Sequence, residues 1–175
     1  AVQVTLRSPL GAVVHETGGL LVDDGWIRVL GSGHERLPRS VAEWNVGRST
    51  ASFEGGPPPF LLVADDVLGG FFALDGGGLG SGSGDLHYFA PDTLEWESLG
   101  LGYTDFLRWL ADGDLERFYE SFRWPGWRAE TRQLPRDRAY SFYPFLSTGP
   151  MPITERSRRD VPIDELYRLG VGEVE

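Results

Sequence analysis

The residues that offer reactive chemistry in this 175-residue chain are a glycine–serine loop, three histidines and a set of aspartates. The loop reads GGGLGSGSG over residues 76–84 and invites a phosphate-binding interpretation, but no G-x-G-x-x-G spacing can be drawn through it. The G-x-S-x-G elbow of a serine hydrolase does not occur, because Ser81 and Ser83 fall in the wrong register. We therefore interpret the loop as a flexible connection between two strands.

The histidines are His15, His34 and His87, and none stands in a recognisable catalytic or metal-binding motif. His34 opens the sequence HERLP, which lacks the second histidine of a zinc-protease helix. A triad or a mixed metal site assembled in space stays open at this point. One alternative is therefore a small-molecule-binding protein or enzyme, with His87 and Tyr88 facing a pocket beside the glycine loop.

Two residue types are absent, and their absence excludes whole mechanisms. The chain has no cysteine, and all 16 of its basic residues are arginine. Disulfides, zinc–thiolate centres and cysteine nucleophiles are excluded, as are mechanisms that need a P-loop or Schiff-base lysine. The sequence predicts no cofactor and no metal, and it favours a non-enzymatic protein.

Negative charge is concentrated in the middle of the chain. The net charge is −10, and between Ser49 and Leu107 there are nine acidic residues and no arginine. Such a field repels nucleic acid and anionic membranes and attracts basic proteins. The candidate binding residues on this acidic face are Asp65, Asp66, Asp75, Asp85, Glu95 and Glu97. The alternative is that the acids only keep the surface hydrated.

The aspartates also have a local interpretation. Asp65 and Asp66 end one predicted strand and Asp75 ends the next, so in a meander they lie at opposite edges of the sheet. This geometry argues against a paired-carboxylate active site or a calcium cluster. Aspartates that cap turns at strand ends are the simpler interpretation.

A second candidate patch is the sequence RWPGWR, which contains Arg123, Trp124, Trp127 and Arg128. Tryptophan and arginine dominate binding hot spots, so the turn is a candidate binding surface or a site of homo-oligomerisation. The alternative is a packed turn with cation–π contacts.

The elements that must position these residues follow from apolar runs and turn signals. The predicted strands cover residues 12–16, 20–22, 26–30, 60–64, 70–75, 85–90, 93–97 and 139–142. The predicted helices cover residues 38–45, 103–111, 114–122 and 162–170. Consecutive strands with short connections predict an antiparallel meander. The fold class is α+β, a twisted antiparallel sheet with helices packed on one side, in a single domain over residues 1–175.

Several segments carry a resemblance to a known family. The stretches FLLVADDVLGGFFALDGGG, DLHYFAPDTLEWESLGLGYTDFLRWL, RFYESFRWPGW and VPIDELYRL resemble the bacterial domain-of-unknown-function family 2625. Members of that family carry a helical segment before this point, so a trimmed N-terminus is expected. More distantly, residues 60–110 are similar to the SUKH superfamily. That resemblance implies an interaction module, often an immunity partner of a bacterial toxin, and brings no catalytic residue with it.

The first functional hypothesis is a non-enzymatic interaction module of a cytoplasmic bacterial protein. It binds a basic protein through its acidic face, as a toxin-immunity partner would. Strand alternation places Glu95 and Glu97 on one face of their strand and Trp96 on the other, towards the core.

Overall fold

A six-stranded antiparallel sheet organises the chain, which a computed structural model describes at residues 8–50, 52–53, 56–80, 82 and 84–172. The strands are β1 (Gly19–Val22), β2 (Ile27–Leu30), β3 (Phe60–Asp66), β4 (Phe71–Asp75), β5 (Leu86–Ala90), β6 (Glu95–Ser98), β7 (Arg138–Tyr143) and β8 (Ser157–Pro162). The helices are α1 (Pro9–Glu16), α2 (Val41–Asn45), α3 (Tyr103–Asp112), α4 (Leu115–Phe118), α5 (Trp127–Gln133) and α6 (Ile163–Gly170). Short 3₁₀ turns cover Glu120–Phe122, Leu146–Thr148 and Ile153–Glu155.

The sheet runs in sequence order from β1 to β6, and every neighbouring pair is antiparallel. This confirms the predicted meander and the α+β class. The four residues that connect β1 and β2 include the predicted turn residues Asp24 and Gly25, and Asp23, Asp24 and Gly25 all have positive φ. Glycine and aspartate adopt this left-handed conformation more readily than most residues.

Helices lie on both faces of the sheet, which differs from the expected one-sided arrangement. The ring of Phe72 lies 5.1 Å from that of Phe106 in α3. The ring of its neighbour Phe71, which points to the opposite face, lies 5.1 Å from that of Tyr167 in α6. Two covered faces explain why β5 is buried at all five positions and not at alternate ones.

The hairpin of β7 and β8 forms a second, two-stranded sheet. The Tyr140 N–H donates to the Val67 carbonyl at 2.7 Å, which joins this hairpin to the loop after β3. Strand β8 was not predicted, because its sequence SRRDVP is polar and mostly exposed. Its strand conformation depends on pairing with β7 over six residues.

Three helical segments also differ from the expectation, and one of them is the helix predicted over residues 114–122, which divides into α4 and a 3₁₀ turn. Residues 12–16, predicted as a strand, belong to α1, where the Ser8 hydroxyl accepts from the Gly11 N–H at 3.0 Å and Pro9 occupies the first turn. Helix α5 follows the Trp124–Trp127 turn and was not predicted. The predicted positions of α3 and α6 are confirmed. None of the helices in the described part of the chain combines the length and apolar character needed to cross a lipid bilayer.

Candidate functional site

Asp65 lies in the centre of a buried ion cluster and does not belong to an exposed acidic face. Its Oδ1 is 2.6 Å from the Arg28 Nε, and its Oδ2 is 2.5 Å from Nη1 of Arg39. The side chains of Asp65 and Arg28 are fully buried. Burial lowers the pKa of the Arg28 guanidinium, and the Asp65 carboxylate opposes that shift. The cluster joins β2, β3 and the segment before α2, so its role is structural.

Asp66 is also fully buried, and it organises the turn between β3 and β4. Its Oδ1 accepts from the N–H groups of Leu68 and Gly70 at 2.9 and 2.8 Å. Its Oδ2 accepts from the hydroxyls of Tyr88 and Tyr119 at 2.7 and 2.9 Å. Burial raises the pKa of the Asp66 carboxyl, and the four hydrogen bonds oppose that shift. The turn-capping interpretation of this residue is confirmed.

Asp75 has the same function in the glycine loop. Its carboxylate accepts from the N–H groups of Gly77, Leu79 and Gly82 at 2.6, 2.9 and 3.2 Å. The loop therefore closes on a protein carboxylate, an arrangement that repels a phosphate. Ser81 and Ser83 lie outside the described residues.

The exposed acidic face is therefore smaller than expected. The predicted set of exposed binding residues is corrected at three positions, because Asp65, Asp66 and Asp75 are all buried. Glu95 and Glu97 are exposed and Asp85 is half-buried, so these remain candidate binding residues.

The Trp124–Trp127 turn is packed into the core. The rings of Trp124 and Trp127 lie 5.6 and 4.9 Å from the ring of Trp26. Arg123 stacks on Trp127 at 4.1 Å and pairs with Asp23. The alternative of a packed turn with cation–π contacts is therefore confirmed, because both tryptophans are buried and the ring of Trp26, distant in sequence, packs against both. Arg128 is more exposed, and it pairs with the aspartates of the β1–β2 turn.

The alternative pocket beside His87 finds no support in the packing. His87 is only 2% exposed, and its Nδ1 lies 3.3 Å from the Asp85 carbonyl oxygen. Its neighbour Tyr88 faces a different cavity. Across the described ranges, no three histidine, aspartate or glutamate side chains converge as a metal site requires.

That cavity lies between the β5–β6 hairpin and α4, and we call it the hairpin cavity. Its volume is about 170 Å³, and its lining includes Tyr88, Asp92, Glu97, Phe118, Tyr119 and Phe122. Tyr88 lies directly opposite Glu97 in the strand pair. The ring of Phe118 meets that of Tyr88 edge to face at 5.4 Å. The cavity therefore combines aromatic walls with two carboxylates.

The carboxylates of this hairpin have no cationic partner among the described residues. Asp92, Glu95 and Glu97 are exposed, and the hydrogen bond found for Glu97 comes from the Thr93 hydroxyl at 3.3 Å. Trp96 points to the other face, where its ring lies 5.4 Å from that of Phe89, which confirms the predicted alternation.

A second concave surface lies on the side of the sheet that packs against α6. This groove has a volume of about 180 Å³, and within the described part of the chain no charged side chain lines it. Leu94, Phe145 and Leu169 of its lining are each at least 46% exposed. It offers mainly apolar contact area.

Sequence reasoning missed four of these residues of the hairpin cavity. Asp92 was not singled out as a candidate because it lies in a turn, and Phe118, Tyr119 and Phe122 were expected on the buried face of the helix predicted over residues 114–122. The i, i+4 spacing of the two phenylalanines was visible, but that spacing also fits a buried helix face. Only the position of the 3₁₀ turn after α4 shows that both rings border a cavity.

The fold and the site together define an α+β protein with an open antiparallel meander. Its interior holds a buried ion cluster with a structural role, and its acidic hairpin borders an aromatic cavity. The chain belongs to the family described as "Protein of unknown function DUF2625", which it matches over residues 1–166. This confirms the family resemblance, whereas the SUKH similarity stays a prediction.

Two bacterial relatives span almost the whole chain. It is 46% identical over 167 residues to an uncharacterized protein, YbfG, of Escherichia coli (strain K12), covering 95% of this chain and 74% of that protein. It is 41% identical over 172 residues to an uncharacterized protein of Haemophilus influenzae, covering 98% of this chain and 75% of that protein. No solved structure matches the chain.

Proposed function

We propose that this protein is a non-enzymatic interaction module that binds a basic protein through the β5–β6 hairpin. The observation that carries the proposal is the set of three exposed carboxylates, Asp92, Glu95 and Glu97, which have no cationic partner within the described residues. Most arginines outside this region are already paired with acids, for example Arg158 with Glu130. The hairpin therefore presents negative charge that the fold itself does not neutralise.

Charge of this kind speeds the encounter with a basic partner and makes binding sensitive to salt. The Debye length is about 10 Å at 0.1 M salt and shorter above it. Attraction between the hairpin and a basic protein should therefore weaken strongly between about 50 mM and about 300 mM salt. Contacts made mainly by apolar surface would not weaken in this way.

The buried acids support a binding role over a catalytic one. Asp66 and Asp75 already accept several hydrogen bonds each, and neither faces solvent. A general base must reach the proton of a bound substrate, and these carboxylates are directed at their own turns.

The exposed glutamates have a competing explanation, because β6 is an edge strand of the sheet. Charged side chains on an edge discourage pairing with strands of other molecules. If this is their role, neutralising them promotes self-association and leaves partner binding unchanged.

The test compares the full chain with a variant that carries Glu95→Arg and Glu97→Arg. Each protein is immobilised and exposed to lysate of a bacterium that encodes it, at about 50 and about 300 mM salt. We expect the unmodified chain to retain a basic protein at low salt only, and the variant to lose it. Purified partner then gives the affinity of both proteins by calorimetry.

The matched control carries Glu35→Arg and Glu155→Arg, two exposed acids outside the hairpin. It changes the net charge by the same amount and should keep the partner. Equal loss of binding in the control and the hairpin variant would show that only net charge matters. Undiminished binding by the hairpin variant at low salt would refute the proposal.

A further inference from the structure

The hairpin cavity has the size of one side-chain head group. A water molecule occupies about 30 Å³ in the liquid, so the cavity of about 170 Å³ has room for roughly five or six waters. Pockets for drug-sized ligands measure about 300–1,000 Å³. The cavity is therefore small for a cofactor or a large metabolite, and it suits one charged group at the end of a side chain.

Aromatic rings form most of its walls. Tyr88 contributes from β5, and Phe118 and Tyr119 contribute from the end of α4, with ring centroids 4.8 Å apart. Phe122 lines the cavity from the following 3₁₀ turn. Faces of aromatic rings carry negative potential and attract cations, most strongly where water is excluded.

The polar atoms of the cavity are acceptors. The hydroxyls of Tyr88 and Tyr119 donate to the buried Asp66, so these two donors are directed away from a ligand. Asp92 and Glu97 add two carboxylates, and none of the described arginines and histidines is part of the lining. This set of groups repels an anion and suits a ligand that is cationic and rich in N–H donors.

We propose that the hairpin cavity receives one arginine side chain of the basic partner, a proposal that deepens and rests on the proposed function. The planar guanidinium stacks against aromatic rings and presents five donors, which two carboxylates can share. Guanidinium is also more weakly hydrated than ammonium, so its transfer into an aromatic cavity costs less. Asp92 and Glu97 accept its hydrogen bonds, and Tyr88 and Phe118 contact its face.

The test titrates the full chain with three capped tripeptides, Gly-Arg-Gly, Gly-Lys-Gly and Gly-citrulline-Gly, and follows the aromatic and backbone signals by NMR. Citrulline has nearly the shape of arginine but no charge. A single side chain should bind with Kd of about 1 mM. We expect the arginine peptide to bind at least about threefold tighter than lysine, and at least about tenfold tighter than citrulline. Equal affinities for arginine and citrulline, or for arginine and lysine, would overturn the proposal.

Variants of the chain locate the binding. Glu97→Gln should weaken the arginine peptide at least about fivefold, because a charge-assisted hydrogen bond is lost. Glu120→Gln is the matched control, since Glu120 is exposed and lies between the lining residues Tyr119 and Phe122 but does not itself line the cavity. It should change the affinity less than about twofold, as expected for a screened surface charge. If both variants weaken binding of the arginine peptide equally, the effect comes from the overall negative charge of the surface and not from the cavity, and the proposal is overturned.

Aromatic variants test the walls of the cavity. Phe118→Leu keeps an apolar side chain but removes a ring, and should weaken the arginine peptide about threefold or more. If its unfolding curve shows a damaged fold, Phe122→Leu replaces it, because that variant keeps the ring contacts of Phe118 with Tyr88, Trp109 and Tyr119. Unchanged affinity in a folded variant would overturn the proposed stacking.

The failure of this inference differs from the failure of the proposed function. If the Glu95→Arg/Glu97→Arg variant loses a basic protein but the arginine peptide does not bind the unmodified chain, the interaction module stands and the arginine site is wrong. If the peptide binds as expected and no basic protein is retained, arginine recognition by the cavity stands and the proposed partner class is wrong.

Discussion

Replacing Asp65 by asparagine should destabilise the protein severely. The substitution keeps the shape of the side chain but removes the negative charge between Arg28 and Arg39, which contact it at 2.6 and 2.5 Å. Both guanidinium groups then lose the carboxylate that pairs with them in the interior, where Arg28 is fully buried and Arg39 is 7% exposed. Breaking a buried ion pair in this way costs about 3–5 kcal/mol. This is a large share of a typical unfolding free energy of about 5–15 kcal/mol.

Urea unfolding followed by tryptophan fluorescence measures the loss. For a slope of about 2 kcal/mol per molar urea, a loss of 4 kcal/mol shifts the midpoint by about 2 M. The matched control is Asp105→Asn, which breaks an ion pair to Arg108 whose side chains are 57% and 73% exposed. This control should cost less than about 1 kcal/mol.

A second variant tests the cause. Combining Asp65→Asn with Arg28→Met removes the most deeply buried of the uncompensated charges, so the double variant should be more stable than Asp65→Asn alone. A loss below about 1 kcal/mol for Asp65→Asn would refute the reasoning, because such a loss is typical of an exposed pair. A double variant less stable than the single one would refute the electrostatic cause.

Three further predictions concern the buried polar groups, and each is measured by urea unfolding. Asn45→Ala leaves the N–H and carbonyl of Leu62 without the side-chain partners that now lie at 2.8 Å, and should cost more than about 2 kcal/mol. Gly70→Ala places a Cβ 2.3 Å from the Tyr88 hydroxyl and 2.5 Å from Oδ2 of Asp66, and should cost about 1–3 kcal/mol by overpacking. The fold raises the pKa of the Asp66 carboxyl above its ordinary value of 3.8. The free energy that Asp66 contributes to stability should therefore fall as the pH rises from 3.8 through the pKa of the folded state. Asp66→Asn should remove this pH-dependent part of the unfolding free energy.

The controls for these predictions are equally specific. Gly102→Ala adds a Cβ with nothing within 4 Å, so it should cost only the preference of the N-cap position for glycine over alanine, about 1 kcal/mol or less, and less than Gly70→Ala. For Asp66, the unfolding free energy of the unmodified protein minus that of the variant should decrease between about pH 4 and about pH 7. A difference that grows with pH would show that the four hydrogen bonds outweigh burial.

Much of the fold could be predicted from local patterns. The apolar runs of β3, β4 and β5 and the short connections between them indicated a meander, and the aspartate–glycine pair located the β1–β2 turn. The amphipathic spacing of α3 was equally clear, and α6 was indicated by the proline at its start and the glycine at its end. Strand β8 could not be predicted, because its polar sequence becomes a strand only through pairing with β7.

The candidate site was less predictable than the fold. Asp65 and Glu97 are both acids at or near strand ends in a segment that lacks arginine, yet one is fully buried and the other is exposed. The difference depends on Arg28 and Arg39, which are 37 and 26 residues away from Asp65 in sequence. Local composition carries no information about which acid meets a buried guanidinium.

By itself, then, the sequence determined the class of fold, the meander, the aspartate-capped turns and the membership of the family. The tertiary structure decided which charges are neutralised inside the protein and which remain on the β5–β6 hairpin. It also decided that Trp124 and Trp127 pack on Trp26, and that Phe118 and Phe122 border a cavity beside Asp92. The physical reason is that strand and turn preferences act between near neighbours, whereas burial and charge pairing depend on contacts between residues far apart in the chain.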